Sequence, residues 1–349
     1  MRIAVVITTY GNAENVVRLL GSLASGERLP DEVVVVDNAT RDLTSIYRDR
    51  CLLGDRMSII HLGAGLNVSA ARNAGAKATM AEIVLFVDDD NVADPGLCAR
   101  LMELFESRSD IQAAGPLMRV LGSGSIWCAG VKRSAWTGRT LFVGNGADKW
   151  NEAWANTSPD LPNCFAVRHD TFNLIGGFNE LFPLMFEESD FGTRLLNATG
   201  SMFFIETRAL VYHDVDPAIS IGSALLHGLR NGGTERVRSI SRSRLLFIRL
   251  HSPSLMHTIV QLALIPIWVT LVSIDAMRQP GTRRERARAI AQLWIGIGQG
   301  ARQFLPLPMR VKTSGKGASL PHETPPPKTV GLSLLSIHDP GCDEGESHQ

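Results

Sequence analysis

The first ninety residues alternate short β-branched runs with helix-like stretches, which is typical of βαβ units forming a parallel sheet. The helix-like stretches are Asn12–Ser25 and Ser69–Thr79, and Ser69 is a suitable N-cap for the second. The connections between these elements are short enough for a compact, doubly wound layer. The pattern therefore predicts an α/β fold. The predicted strands are Ile3–Ile7, Glu32–Val36, Met57–His61 and Ile83–Val87.

The middle of the chain has a less regular pattern. From Gln112 to about Gly146 it is rich in glycine and tryptophan and keeps no helical period, which predicts an irregular sheet edge with loops. This stretch is expected to form the second half of a site, and a further unit follows it. Its elements are a strand near Asn163–Arg168, a turn at Gly176 and Gly177, a helix over Ser189–Asn197, and strands over Met202–Ile205 and Ala209–Tyr212.

The last third is apolar and then basic. Ser252–Ile274 has no formal charge, but its most apolar part, Ile259–Ile274, falls short of the roughly 20 residues that span a bilayer. A second amphipathic stretch covers Ala287–Phe304. One interpretation is that these helices lie on or dip into an anionic membrane. The other is that they pack against the rest of the protein with a solvated basic turn between them. The turn contains Arg278, Arg283, Arg284, Arg286 and Arg288.

Three parts are expected from these patterns. Residues 1–216 form the α/β domain, and residues 217–307 form a helical extension that could associate with a membrane. Residues 308–349, rich in proline, glycine and serine, form a disordered tail.

Composition narrows the class of protein. The 349 residues are 44% hydrophobic and 20% charged, so the chain has enough apolar material for a core and is globular. Lys+Arg and Asp+Glu both number 35, so no net field indicates a nucleic-acid partner. The five cysteines are scattered without a C-x-x-C pair, which argues against a disulfide framework or a zinc site. The N-terminal apolar run is too short for a signal peptide, so a cytoplasmic location is expected.

Polar residues follow three of the predicted strands. Ligands of a parallel α/β sheet bind outside the carboxyl ends of the strands, so these residues should meet at one site. They are Thr8 to Asn12, Asp37 with Asn38, and Asp88 to Asn91. Neither a G-x-G-x-x-G dinucleotide fingerprint nor a G-x-x-x-x-G-K-[ST] loop occurs in the chain.

The three carboxylates Asp88, Asp89 and Asp90 would repel one another unless a cation or hydrogen-bond donors compensated them. A divalent ion bridging carboxylate and diphosphate would resolve that conflict. The alternative is an exposed acidic turn, since Asp94-Pro95 follows closely. The presence of Asp37 and the Thr9-Tyr10 turn at the same edge favours the ion.

Five stretches in this order and spacing resemble glycosyltransferase family 2, whose members have the GT-A fold. Together they cover about Met1 to Asp214. They are Val5–Asn12, Glu32–Thr40, Asn67–Gly75, Ile83–Asn91, and Ile175–Glu180 leading to Glu187–Phe191.

The resemblance implies roles at the donor site. Thr9, Tyr10 and Asp37 would hold the nucleobase and ribose, with Asp37 accepting from the imide N–H of the base. Asn67 and Arg72 would lie in the same pocket, with Arg72 on its base and phosphate side, although Arg72 could instead be a solvated helix residue. The acidic residues Asp88 and Asp89 belong to the D-x-D region, where Asp89 would face the ribose or the metal.

Asp90 is the expected direct ligand of Mn²⁺ or Mg²⁺. His213, after the last predicted strand, matches a late histidine of the family that can complete the metal or diphosphate site. A single histidine is also often structural, and both interpretations stay open.

The catalytic base is expected in a second acidic cluster, Glu187-Glu188-Ser189-Asp190. The resemblance places the family's E-D-x-D here, with Glu188 standing where the family usually has aspartate. Glu188 is the expected base, and Asp190 and Glu187 are alternates because the longer side chain changes the reach of the carboxylate. These residues could also stabilise a helix N-terminus.

The resemblance implies an inverting, metal-dependent glycosyltransferase that uses a UDP- or dTDP-sugar. Its acceptor would be a lipid-linked or cell-envelope glycan at the inner face of the membrane. One rival is a non-catalytic nucleotide-sugar-binding or scaffold protein of the same fold, in which the change to Glu188 abolishes turnover. A sugar nucleotidyltransferase is disfavoured because Thr8 to Asn12 lacks a Gly-rich, basic loop. Four tryptophans could form an acceptor platform or pack in the core: Trp127, Trp136, Trp150 and Trp154.

Overall fold

The computed structural model describes residues 1–63, 67–215 and 221–304. The strands are β1 Ile3–Thr9, β2 Glu32–Asp37, β3 Met57–His61, β4 Ile83–Asp88, β5 Asn91–Ala93, β6 Ala113–Val120, β7 Ile126–Cys128, β8 Val131–Arg133, β9 Thr140–Phe142, β10 Thr157–Ser158, β11 Cys164–Arg168 and β12 Phe203–His213. The helices are α1 Ala13–Ala24, α2 Thr44–Asp49, α3 Val68–Lys77, α4 Leu97–Ser107, α5 His169–Leu174, α6 Glu187–Thr199, α7 Ile221–His251, α8 Leu255–Arg278 and α9 Arg283–Arg302, with a 3₁₀ turn at Gly54–Arg56.

Across the described residues, ten strands form one mixed sheet in which eight run in the order β10-β12-β6-β11-β4-β1-β2-β3. The strands β3, β2, β1 and β4 are parallel, while β11 is antiparallel to β4 and β6. Every residue of β1 is buried, as expected of a parallel strand covered by helices on both faces. The predicted α/β fold is therefore confirmed, and the four N-terminal strands lie where the β-branched runs predicted them.

Helix α3 packs very closely on the sheet and begins differently from the prediction. A Cβ on Gly75 would lie 2.3 Å from Val6 Cγ1, so only glycine allows this approach. The predicted N-cap, Ser69, was wrong. The cap is Asn67, whose side chain accepts from the Ala70 N–H at 2.9 Å. The Ser69 hydroxyl instead donates to the Phe182 carbonyl at 2.6 Å.

The stretch predicted as an irregular edge from Gln112 contains a central strand. Strand β6 lies between β11 and β12, and nearly all of it is buried. Its Gly115 and Pro116 are residue types typical of turns. Contacts with residues distant in sequence explain why both occur in a strand. A Cβ on Gly115 would lie 2.0 Å from Leu161 Cδ2. Pro116 pairs with Glu206, where β12 has an irregular register.

That irregular register also explains why one strand was predicted as two. Strand β12 continues from Phe203 to His213, with a register shift between Glu206 and Leu210 against β6. The shift interrupts the alternation of apolar and polar residues. Its far end brings His213 beside Asn91 of β5.

Helices α7, α8 and α9 form a second hydrophobic cluster. Helix α9 approaches α7 through Gly296, where a Cβ would lie 2.3 Å from the Arg238 carbonyl oxygen. Helix α8 is 24 residues long and contains an 18-residue window with a mean hydropathy of 1.9, so it is long and apolar enough to cross a membrane by those two criteria. The apolar run Ile259–Ile274, which was expected to be short for a span, is only part of this longer helix. The predicted tail, 308–349, and the predicted boundaries at 216/217 and 307 lie outside the described residues.

Candidate active site

The carboxyl edge of the sheet brings the polar strand ends together. In the sheet register Thr9 is beside Asp37, and Thr8 is beside Asp88. The Thr9 hydroxyl donates to Asp89 Oδ2. Three segments that are far apart in sequence thus form one continuous surface, as the positions of these residues after the strands predicted.

Asp37 is the most buried of these carboxylates, with no exposed surface. Its Oδ1 accepts from the Ala39 N–H at 2.9 Å, while its Oδ2 has no hydrogen-bond partner among the described residues. His61 Nδ1 lies 3.6 Å from that oxygen, too far for a hydrogen bond. A buried carboxylate oxygen without a partner is costly, so this position suits a ligand N–H.

Two tyrosines border Asp37. The Tyr10 hydroxyl is buried without a hydrogen-bond partner in the described structure, and burial raises the pKa of this phenol. Burial also raises the pKa of Tyr47, with the charge of nearby Asp37 adding to the rise. Both phenols therefore stay neutral and can act as hydrogen-bond donors.

The three carboxylates of the acidic triplet, Asp88 to Asp90, lie in different environments. Asp88 accepts from Arg72 at 2.7 Å, and Asp89 is held by Thr9. Burial raises the pKa of Asp89 to about 7, and the charges of Asp90 and Asp88 add to that rise. The Asp90 side chain is 40% exposed and is the member most open to a ligand.

His213 lies directly beside Asp90. Its Nε2 is 3.3 Å from Asp90 Oδ2 and 2.9 Å from the Asn163 amide nitrogen, while its Nδ1 is buried without a partner. The Trp127 ring packs edge-on against the imidazole at 4.3 Å between centroids. The imidazole is therefore fixed in place next to the carboxylate.

The donor set at this point fits a divalent ion that is completed by a ligand. No group of three or more His, Cys, Asp or Glu side chains that could hold a metal occurs within the described ranges. Asp90 and His213 supply two donors, and Mg²⁺ commonly uses one or two protein ligands together with substrate phosphates and water. The pair alone does not make a closed metal site.

Arg72 links the strand ends to the second acidic cluster. It is 1% exposed, and its guanidinium donates to Asp88 Oδ1 at 2.7 Å and to Glu188 Oε1 at 2.8 Å. Glu187 Oε1 lies 3.8 Å away. Burial alone would lower the pKa of Arg72, but these three carboxylates raise it above its ordinary value. The alternative of a solvated helix residue was therefore wrong.

Glu187 and Glu188 begin helix α6, after Met185 and Phe186 in left-handed conformations. Burial raises the pKa of both carboxyl groups, whereas Arg72 opposes the rise. Glu187 is 4% exposed and its Oε2 has no partner among the described residues. Glu188 is the more accessible of the two, with 12% of its side chain exposed.

Asp190 faces away from this surface. Its Oδ2 accepts from Arg194 Nε at 2.8 Å, and its Oδ1 lies 2.8 Å from His251 Nε2 at the end of α7. With 1% exposure and both oxygens engaged, Asp190 is a structural link between two helices. This arrangement favours Glu188 over Asp190 as the candidate base.

The remaining predicted residues lie at the margins. Asn67 caps α3, and its amide donates to the Glu180 carbonyl at 3.1 Å. Trp150 and Trp154 pack against each other with 5.5 Å between ring centroids. Trp136 is 52% exposed and lies against His257 of α8.

Sequence reasoning missed four polar residues at or behind the site. Asp160 and Arg133 form an ion pair at 2.8 Å beneath Ser189. The other two are Asn163, in a left-handed conformation with φ of 62°, and His251. Only Asn163 had a local signal, since asparagine tolerates that conformation after a proline turn. The others depend on contacts from distant elements.

Part of the chain is similar to known proteins. Residues 4–167 match the family described as Glycosyl transferase family 2. An uncharacterized glycosyltransferase of Bacillus subtilis, YwdF, is 27% identical over 108 residues, covering 31% of this chain and 39% of that protein. The O-antigen biosynthesis protein RfbC of Myxococcus xanthus is 25% identical over 214 residues, covering 56% of this chain and 16% of that protein. The matches thus span well under two thirds of these relatives.

Solved structures confirm the fold. The crystal structure of GalNAc-T7 with UDP, GalNAc and Mn²⁺ superposes with a TM-score of 0.51, covering 76% of this chain and 54% of that one. The two sequences are 12% identical, so the likeness concerns the fold alone. The predicted GT-A architecture is confirmed.

Proposed function

We propose, from the premise that residues 4–167 form a domain of glycosyltransferase family 2, that this protein transfers a sugar from a nucleoside-diphosphate sugar to an acceptor hydroxyl with inversion. One observation carries the proposal: Arg72 joins Asp88 of the acidic triplet to Glu188 of the second cluster. A donor site and a candidate base are thereby held in one rigid unit.

The donor would be a UDP- or dTDP-sugar. Uracil and thymine both present an imide N–H, which complements the unpartnered Oδ2 of Asp37. The neutral hydroxyl of Tyr10 and the Thr9–Asp89 pair would contact the base and ribose. Asn67, which caps α3, would border the same pocket.

A divalent cation, Mn²⁺ or Mg²⁺, would be held by Asp90 and His213 together with the diphosphate. When bound, such an ion neutralises the charge that develops on the leaving diphosphate. Arg72, buried beside Asp88, would keep the surrounding carboxylates from repelling that diphosphate.

The candidate base is Glu188. The acceptor oxygen bonds to the anomeric carbon, the bond from that carbon to the diphosphate oxygen breaks, and the hydroxyl proton passes to the Glu188 carboxylate. A single displacement of this kind inverts the anomeric configuration. Glu187 beside it would hold its proton to higher pH than an ordinary glutamate, because burial raises its pKa.

The acceptor would be a lipid-linked or cell-envelope glycan. A cavity of about 190 Å³ adjoins the start of α6 and is lined on one side by Ser189 and Thr193 of that helix, and on another by Gln261 of α8. The polar side chains in its wall, Ser189, Thr193 and Gln261, suit hydroxyl groups. The cysteines of the described ranges are all free thiols, consistent with a cytoplasmic location.

The proposal is tested by release of nucleoside diphosphate from a panel of UDP-, dTDP- and GDP-sugars, with Mn²⁺, Mg²⁺ or EDTA and with membrane extract supplying acceptors. We expect metal-dependent release from one donor, lost in Asp90→Ala but kept in Asp170→Asn, an exposed aspartate of α5. Donor binding without release would instead support the non-catalytic binding protein. No binding of any donor would contradict both.

A further inference from the structure

Helix α8 carries two different apolar faces. One is buried against α7 and α9 in the second hydrophobic cluster and includes Ile265, Val269 and Val272. The other is not covered by any part of the chain that the structure describes. Exposed residues along this face, with their exposed fractions, are Met256 58%, Ile259 52%, Ile267 57%, Leu271 61% and Met277 53%.

Helix α9 extends this uncovered face. Its glycine-containing side, with Leu293, is buried against α7. On another side Ala287, Ile290 and Ala291 line an apolar groove together with Met277 of α8. Trp294, one turn further, is 49% exposed. The exposed residues of both helices thus form one apolar surface, which we call the α8–α9 face.

Arginines border the α8–α9 face at the turn between the helices. Arg283, Arg284 and Arg288 are exposed, and none of them forms an ion pair within the described residues. The nearby Glu285 is already engaged by Arg230 and by the N-cap of α9. The face therefore combines a large apolar area with uncompensated positive charge.

We propose that the α8–α9 face lies in the headgroup region of a bilayer containing anionic phospholipids. Apolar side chains and a tryptophan at headgroup depth, beside arginines that meet lipid phosphates, are the features of helices that lie in a membrane interface. Exposed apolar surface of this extent is otherwise unfavourable in water. The inference does not depend on glycosyl transfer.

One contact defines how the face binds. Buried Gln261 of α8 donates to the Ala135 carbonyl at 2.7 Å, so α8 is fixed to the β8–β9 segment and cannot be surrounded by lipid. A helix so attached lies on the bilayer and does not span it.

The test is flotation of the full-length chain with vesicles of phosphatidylcholine alone or mixed with phosphatidylglycerol. We expect strong flotation only with the mixed vesicles. The double variant Ile267→Asp/Leu271→Asp should lose it, whereas Leu52→Asp, at a leucine that is 77% exposed elsewhere, should not. Replacing Arg283, Arg284 and Arg288 by glutamine should weaken partitioning by about 100-fold, roughly fivefold for each arginine.

Folding of each variant is checked by circular dichroism. Wild-type protein that is folded but does not float with mixed vesicles would overturn the proposal. So would flotation that the aspartate variants leave unchanged, or a dimer in light scattering that the same variants dissociate. Resistance to extraction at alkaline pH would contradict a surface-lying helix and favour a spanning one.

Discussion

At the residue scale, Arg72 determines the charge state of the site. It is fully enclosed, yet it binds Asp88 and Glu188 directly and lies near Glu187. A buried guanidinium without such partners would cost several kcal/mol, and the same is true of the carboxylates without it. Arg72 is therefore the main influence that opposes the rise in the pKa of Glu188 caused by burial.

The pH dependence of turnover tests this role. Burial raises the pKa of Glu188, and a base acts in its ionised form, so the rate should fall at a pH above the ordinary range of a glutamate. Replacing Arg72 by glutamine removes the charge that lowers this pKa. The acidic limb of the kcat profile should then move to higher pH.

The control is Arg50→Gln, at an exposed arginine after α2. The acidic limb of the kcat profile of this variant should coincide with that of the wild type. A limb that is unmoved, or moves to lower pH, in folded Arg72→Gln protein would show that Glu188 is not the titrating base.

The sequence could predict the strand-end residues because position after a parallel strand determines which edge they share. Thr9, Asp37 and Asp88 were therefore placed correctly on one surface. The orientation of Asp190 could not be predicted. It depends on His251, which is 61 residues further along and belongs to another helix.

At the scale of elements, the pairing of α7 with α9 depends on small residues. The Ser241 hydroxyl of α7 donates to the Leu293 carbonyl at 2.8 Å, and Gly296 lies over the same part of α7. A Cβ at Gly296 would be 2.3 Å from both the Arg238 carbonyl and Ser241 Oγ. A Cβ at Gly298 would meet nothing within 4 Å.

These two glycines provide a matched pair of substitutions. Gly298→Ala should stabilise the protein by up to about 1 kcal/mol, since alanine has the higher helix propensity. Gly296→Ala has the same benefit but must separate the helices, so it should destabilise by about 1–3 kcal/mol. Urea unfolding of both variants measures the difference. Equal effects would show that α9 does not pack on α7 at this point.

Elements were predictable where their pattern was local. Strand β2 is a continuous valine run and lay where expected. Strand β6 was missed because Gly115 and Pro116 are typical of turns. Gly115 leaves room for Leu161, and Pro116 pairs with β12 where its register shifts, and neither partner is near in sequence.

At the scale of the whole molecule, the site and the α8–α9 face belong to one compact unit, residues 1–306. Two contacts couple them. His251, at the end of α7, binds Asp190 of α6, and Gln261 of α8 binds the segment after β8. Binding of the α8–α9 face to a bilayer would therefore hold the start of α6 at a fixed height above the lipid.

Global stability should depend on the ionisation of Glu187. Its pKa is raised by burial and by Glu188, so the folded state keeps the proton to higher pH than the unfolded state does. This stabilisation is complete below the unfolded pKa and is lost as the pH rises through the folded pKa. The side chain in Glu187→Gln cannot ionise, so this variant should not lose stability in this way as the pH rises.

Urea unfolding across a range of pH measures this effect. The difference in unfolding free energy between Glu187→Gln and wild type should move in favour of the variant from acid to mildly alkaline pH. Glu152→Gln, at an exposed glutamate, should show no such trend. A constant difference for Glu187→Gln would contradict a raised pKa.

The most direct test of the proposed function compares donor affinity with turnover in Glu188→Gln. With the donor identified from the panel, the account predicts that nucleoside diphosphate release falls by at least about 100-fold. Donor Kd should stay close to that of the wild type, and Glu152→Gln should behave as wild type. Undiminished release by folded Glu188→Gln would contradict the account, because the proton of the attacking hydroxyl would then have another acceptor.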